Sequence, residues 1–305
     1  MVHCMQYDRD AQASQGKRVI RMSINPQTAI GHVHLKVADM GRSLKFYTHV
    51  LGFQLLQQQG NLASLSADGK TTLLQLTELP GARPQPRRST GLYHFAILVP
   101  SRADLARSLV RLAETRYPLG GASDHLVSEA LYLSDPDNNG IEIYRDRPRS
   151  EWQWQQGQVE MAVDPFDQRG VLAEISENPH AWEGLKPQTR IGHIHLQVAD
   201  LRQAEAFYHG VLGFDITSQM PSALFLSAGG YHHHIGLNTW HSLNAPRAPE
   251  DAAGLRSFTI TLPDEPARSE VVARLQAADV PFEQQGKDTV LSDPWGIGIV
   301  LTVSN

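Results

Sequence analysis

Residues 30–55 read IGHVHLKVADMGRSLKFYTHVLGFQL, and residues 191–216 read IGHIHLQVADLRQAEAFYHGVLGFDI. At a constant offset of 161 and without a gap, 14 of the 26 positions are identical. The likeness continues in LASLSADGKTTLLQL (62–76) against ALFLSAGGYHHHIGL (223–237). Further on, GLYHFAILVPS (91–101) answers GLRSFTITLPD (254–264), and LSDPDNNGIEI answers LSDPWGIGIVL. A period this long is the mark of a duplicated domain.

Each half divides again. A strand over residues 32–37 leads into a helix opened by Asp39, a side chain suited to the N-cap. Leu44, Tyr47 and Leu51 fall at helical spacing, and Gly52 stands where a left-handed residue ends such a helix. Strands at 54–58, 63–67 and 72–77 follow. After a Pro/Arg-rich link (80–89) the pattern restarts with a strand at 94–99 and a helix at 103–115, and closes with strands at 130–134 and 140–144. The expected fold is α+β, with four βαβββ modules paired into two similar domains. The expected limits are an N-terminal extension at 1–29, a metal-bearing domain at 30–147, an interdomain segment at 148–189 and a second domain at 190–305. Trp152, Trp154 and Trp182 in the interdomain segment point to a stretch packed on a domain.

Bulk properties narrow the function. No run of 18 apolar residues is present, so no membrane-spanning helix is expected. Residues 1–28 hold no apolar core of a secretory signal. A single cysteine, Cys4, excludes an internal disulfide and suits a reducing cytoplasm. The net charge of -5, with no long basic run, argues against nucleic-acid binding. Fourteen histidines stand out.

Their placement carries chemistry. Alternate strand residues share a face, so His32 and His34 point together. His94 occupies the matching place in the second module, and Glu142 lies on that module's last strand with Ile141 and Ile143 turned away. Two imidazoles and one carboxylate form a facial triad that leaves positions on Fe(II) open for a substrate and dioxygen. The repeat supplies a control: His193 answers His32, but Ser257 answers His94 and Val300 answers Glu142. The site is therefore expected within residues 30–147, from His32, His94 and Glu142. The triplet His232–His234 reads as a strand with its first and third rings on one face; a second metal site with His193 is one reading, but no carboxylate completes it, and a pocket that has lost its function is the favoured one.

The stretches GHVHLKVADMGRSLKFYTHVLGF, GLYHFAILVP and ALYLSDPDNNGIEIY resemble the vicinal oxygen chelate (glyoxalase/bleomycin resistance/extradiol dioxygenase) superfamily. Within it they resemble the two-domain ring-cleaving enzymes of the catechol 2,3-dioxygenase type. The resemblance implies the glyoxalase/extradiol dioxygenase fold and a metal held by His32, His94 and Glu142. It picks His32 over His34 by counting seven residues back from Asp39. It implies Fe(II), with Mn(II) as a substitute, and a small aromatic diol and dioxygen as substrates. It further implies Tyr132, ten residues before Glu142, as a hydrogen-bonding partner of the substrate, with His125 as the neighbouring catalytic histidine. Homo-oligomers are common in this fold. The acid–base histidine that the resemblance implies, on the last strand of the module with the first ligand, corresponds to His233 in the other half, opposite Thr72. That leaves the proton to His125, to water, or to no group at all. Two other readings stay open: a glyoxalase I-type isomerase with Gln75 as fourth ligand and Ni(II), Zn(II) or Co(II), and a metal-free binding protein.

Overall fold

The computed structural model describes residues 23–177 and 182–304. Most of the expected N-terminal extension, Cys4 included, lies outside the described residues. Module 1 comprises β1 (Ala29–Val37), α1 (Met40–Lys45), β2 (Gln54–Gln59), β3 (Leu62–Ser66) and β4 (Leu74–Glu78). Module 2 comprises β5 (Gly91–Leu98), α2 (Arg102–Glu114), β6 (Gly121–Asp124), β7 (Ser128–Ser134) and β8 (Gly140–Asp146). The connecting segment carries β9 (Trp154–Gln155), β10 (Gln158–Val159), β11 (Asp164–Pro165) and α3 (Gln168–Ala173). Module 3 is β12 (Arg190–Gln197), α4 (Leu201–Glu205), β13 (Asp215–Met220), β14 (Ala223–Ser227) and β15 (Ile235–Asn238). Module 4 is β16 (Gly254–Leu262), α5 (Glu265–Ala277), β17 (Phe282–Gln285), β18 (Asp288–Ser292) and β19 (Gly298–Val303).

Local chemistry sets these limits. The carboxylates of Asp39, Asp200 and Asp264 and the hydroxyl of Ser101 each accept a backbone N–H at the start of a helix. In modules 1 and 3 the helix widens into π turns, Phe46–Val50 and Ala206–Val211. Gly52 (φ 83°) and Gly213 (φ 90°) then end it in a conformation that favours glycine. Among the described residues no helix is long and apolar enough to cross a membrane.

The modules pair differently from the sequence expectation. One sheet runs β17-β18-β19-β16-β1-β4-β3-β2, joining modules 4 and 1. The other runs β11-β6-β7-β8-β5-β12-β15-β14-β13, joining modules 2 and 3. The first strands meet antiparallel in both, β1 with β16 and β5 with β12. All four first strands carry the same alternation, so alternation cannot choose their partners. Contacts far apart in the chain do so. A Cβ on Gly192 would lie 1.7 Å from the Tyr144 hydroxyl, so glycine at the start of β12 leaves room for the Tyr144 side chain that reaches across β5 from β8. The expected unit 30–147 is thus divided between the two sheets.

Each half still holds together, across the sheets. The buried Tyr47 hydroxyl donates to Asp135 (2.8 Å), and its repeat counterpart Tyr208 donates to Asp293 (3.1 Å). Tyr47, Leu105, Tyr208 and Leu275 from the helical turns share one core with Phe95, Ile97, Ile141 and Ile194 of the strands. Asp135 also accepts from the backbone of Asp137 and Asn139 and from the Asn139 side chain. Tyr47→Phe should therefore cost only about 1–2 kcal/mol, the loss of one bond to a carboxylate that keeps its other donors. Urea denaturation measures it; an unchanged midpoint would show that the bond does not tie the sheets.

Candidate metal centre and its cavity

Strand alternation builds the site. On β5, Phe95 and Ile97 enter the core, which turns His94, Ala96 and Leu98 to the other face. On β8, Ile141 and Ile143 enter the core, which turns Glu142 and Tyr144 the same way. On β12, Ile194 and Leu196 are core residues, and His193 and His195 lie opposite. Since β5 lies between β8 and β12, three polar side chains converge. His94 Nε2 is 3.0 Å from Glu142 Oε2, His193 Nε2 is 3.2 Å from the same oxygen, and the two nitrogens are 3.3 Å apart. All three residues are buried.

The triangle suits a divalent ion. Its edges are those of three ligand atoms on one face of an ion with bonds of about 2.1 Å, the length a divalent metal makes to imidazole nitrogen. Burial pushes the Glu142 carboxyl up, but the facing His193 and His94 rings outweigh it and hold it well below the usual carboxylate range. Burial also brings the His193 imidazole down to about 4, against the pull of Glu142. A carboxylate beside a neutral imidazole is the form in which these groups bind metal.

His32 stands apart from this group. It sits on β1 in the other sheet, where its Nδ1 lies 3.2 Å from Thr259 Oγ1. His34 Nε2 lies 2.7 Å from Thr77 Oγ1. The expected partnership of His32 with His94 and Glu142 is therefore corrected: its repeat counterpart His193 takes that place, because module 2 shares its sheet with module 3. Gln75 pairs alongside His34 in the same remote sheet. Its counterpart beside the triangle is Gly236, where a Cβ would come within 2.9 Å of the His195 ring. The four-ligand set of the isomerase reading is not assembled.

A cavity of about 360 Å³ opens on the triangle, at the small end of ligand-site volumes. His94, Glu142, His125, Tyr132, His195 and His233 supply its polar groups. Tyr93, Val127, Met161, Val163, Met220, Phe225 and Trp240 supply an apolar wall, and among the described residues no Lys or Arg lines it. His125 and Tyr132 thus do lie beside the triangle. His125 Nδ1 donates to the carbonyl of Ala162 in the connecting segment (2.6 Å), which leaves Nε2 to accept from the Tyr132 hydroxyl (2.6 Å). Burial, then the Glu142 charge, pushes the Tyr132 phenol far up, so it stays a donor.

His233 enters the same cavity, its ring centroid 4.1 Å from that of His193. Assigned by sequence to the wrong half, it is brought into the site by the pairing of modules 2 and 3. Its neighbours His232 and His234 do not alternate along a strand, because β15 begins only at Ile235.

Comparison with known proteins agrees with this architecture. The model of the Glyoxalase/Bleomycin resistance protein/Dioxygenase superfamily matches residues 29–143 and 190–301. The chain is 48% identical over 276 residues to the catechol-2,3-dioxygenase of Bacillus subtilis (strain 168), covering 89% of this chain and 96% of that one. A solved structure of a candidate dioxygenase from Bacillus subtilis superposes with a TM-score of 0.64 at 15% identity, over 92% of this chain and 85% of that one. Glyoxalase I from Zea mays superposes with a TM-score of 0.53 at 16% identity, over 90% and 92%. With both copies of the repeat matched and a relative of nearly equal length at this identity, the chain belongs to the glyoxalase/bleomycin resistance/dioxygenase superfamily.

Proposed function

We propose that the protein is an extradiol dioxygenase of the catechol 2,3-dioxygenase type, with Fe(II) held by His94, Glu142 and His193. The triangle of ligand atoms at the floor of a cavity that also holds His233, His125 and Tyr132 carries this reading. The near-full-length likeness to a catechol-2,3-dioxygenase supports it. When bound, the ion would supply Lewis acidity and an electronic path between a vicinal diol and dioxygen. Because Gly236 contributes no fourth ligand, three protein groups leave adjacent positions free for both substrates.

The chain's own residues then divide the work. The aromatic and aliphatic wall excludes water and holds a flat ring over the triangle. His233 is the histidine placed to exchange a proton with a substrate hydroxyl. Tyr132 remains a phenol and can turn its O–H from His125 toward a substrate oxygen, with the Ala162 carbonyl keeping His125 in place.

The wall also sets the substrate class. With no Lys or Arg among the described residues of the lining, a ring carboxylate would be desolvated without a basic side chain to pair with, which costs several kcal/mol. The test is anaerobic loading of the full chain with Fe(II), metal analysis, and addition of oxygen with catechol, 4-methylcatechol or 3,4-dihydroxybenzoate. One iron per chain and a yellow ring-fission product from the first two are expected, with kcat/KM for the carboxylate at least about 100-fold lower. Iron bound without product from any diol would overturn the reading. Equal turnover of the carboxylate would overturn the substrate class.

A further inference from the structure

The hydrogen bonds behind His233 converge on one carboxylate at the end of β8. Asp146 Oδ1 lies 3.0 Å from His232 Nε2, and the Tyr231 hydroxyl lies 3.0 Å from both Asp146 oxygens. The Tyr144 hydroxyl is 2.7 Å from that of Tyr231, and His232 Nδ1 is 2.7 Å from His233 Nδ1. A carboxylate only accepts. Tyr231 therefore donates to Asp146, Tyr144 donates to Tyr231, and His232 donates from Nε2. A neutral imidazole protonated at Nε2 has only a lone pair at Nδ1. With His232 neutral, His233 is the donor across the 2.7 Å contact. Its proton sits on Nδ1, and Nε2 is left with a lone pair on a ring that lines the cavity. The opposite tautomer of His233 would set two lone pairs against each other inside a buried pair.

The internal repeat gives this chain of bonds a second, independent support. In the sheet of modules 1 and 4, the positions matching His232, His233 and Asp146 are Thr71, Thr72 and Ser304. The network is present only in the copy that also holds the His94–Glu142–His193 triangle. Asp146 comes from module 2 and His232 from module 3, so the network, like the triangle, exists only because these modules share a sheet.

We propose that His232, oriented by Asp146, is a positioning residue that fixes the tautomer of His233 and so presents its Nε2 to the substrate as a proton acceptor. The kinetic consequence rests on the dioxygenase reading; the tautomer does not. Two substitutions separate position from bulk. His232→Leu fills similar space with no acceptor, whereas the side-chain oxygen of His232→Asn can stand near the place of Nδ1. The leucine variant should lose about 100-fold or more in kcat, as expected when a general acid–base is misdirected, with KM for catechol and iron content nearly unchanged. The asparagine variant should restore most of that loss. Equal losses from both would overturn the proposal.

A second measurement needs no turnover. Long-range 1H–15N spectra of histidine-labelled full-length chain, before metal is added, should show His233 protonated at Nδ1, its signals assigned by their loss in His233→Gln. A His233 protonated at Nε2 would overturn the proposal even in an active enzyme. An enzyme inactive on every diol, with Nδ1 protonated, would instead retire the dioxygenase reading and leave the positioning role standing.

Discussion

His193→Ala should abolish stable metal binding and with it all ring cleavage, while His32→Ala should leave both close to wild type. The two histidines answer each other in the repeat, at the head of the same GH(V/I)H motif, so the motif itself gives no ground for treating them differently. The structure does. His193 Nε2 is one corner of a triangle completed by His94 and Glu142. His32 faces Thr259 in a sheet whose matching positions are Ser257 and Val300. Loss of an outer-shell partner already weakens metal binding by about 10–100-fold. Loss of one of three direct ligands should exceed that, and iron per chain after anaerobic loading and dialysis should fall to background. His195→Ala is the internal control. Its ring packs edge-on to His94 (4.9 Å between centroids) and accepts from Asn238, so it should cost packing and some activity but spare most of the metal. Equal loss of iron from His32→Ala and His193→Ala would mean that the triangle is not the metal centre.

Why the sequence led to His32 can be traced in physical terms. Local information was sufficient for the modules: alternating Val33, Leu35 and Val37 marked β1, Asp39 marked a helix start, and Gly52 its end. It was less sufficient for β6, whose four residues GASD carry no apolar alternation, and for the π turn at Phe46–Val50, which helical spacing does not distinguish from an ordinary last turn. The partners of the first strands were not legible at all. They depend on contacts such as Gly192 against Tyr144, residues two strands apart whose fit appears only once the sheet is assembled. One error followed from assuming that neighbours in sequence share a sheet, and it displaced two residues at once. It leaves His193 outside the ligand set and His233 opposite Thr72 in the other half. The asymmetry of the repeat was itself readable. Module 4, with Ser257 and Val300, lacks both ligands that module 2 keeps, but His32 and His193 are alike, so the repeat does not say which of modules 1 and 3 completes the site.

His233→Ala should separate proton chemistry from metal binding. The ring lines the cavity beside His193 but is not part of the triangle, so the variant should keep its iron and its affinity for catechol. Its kcat should fall by about 100- to 10,000-fold, the range for removing a positioned general acid–base. Tyr132→Phe should cost far less, about 10-fold, because it removes one donor to the substrate and leaves the His125–Ala162 bond in place. Anaerobic catechol titration followed by single-turnover mixing with oxygen distinguishes the steps: the binding spectrum should survive in both variants, and the slow phase should appear after oxygen is added. The alternative is specific. If His233→Ala turns over normally and His125→Ala does not, the proton path runs through the His125–Tyr132 pair, as the sequence expectation has it. The position of His233 argues for the first outcome. It is the histidine in the cavity whose Nδ1 is engaged from behind by a second imidazole and, through that ring, by a carboxylate. His125 has both nitrogens occupied, by the Ala162 carbonyl and the Tyr132 hydroxyl, and would have to give up a bond before it could act.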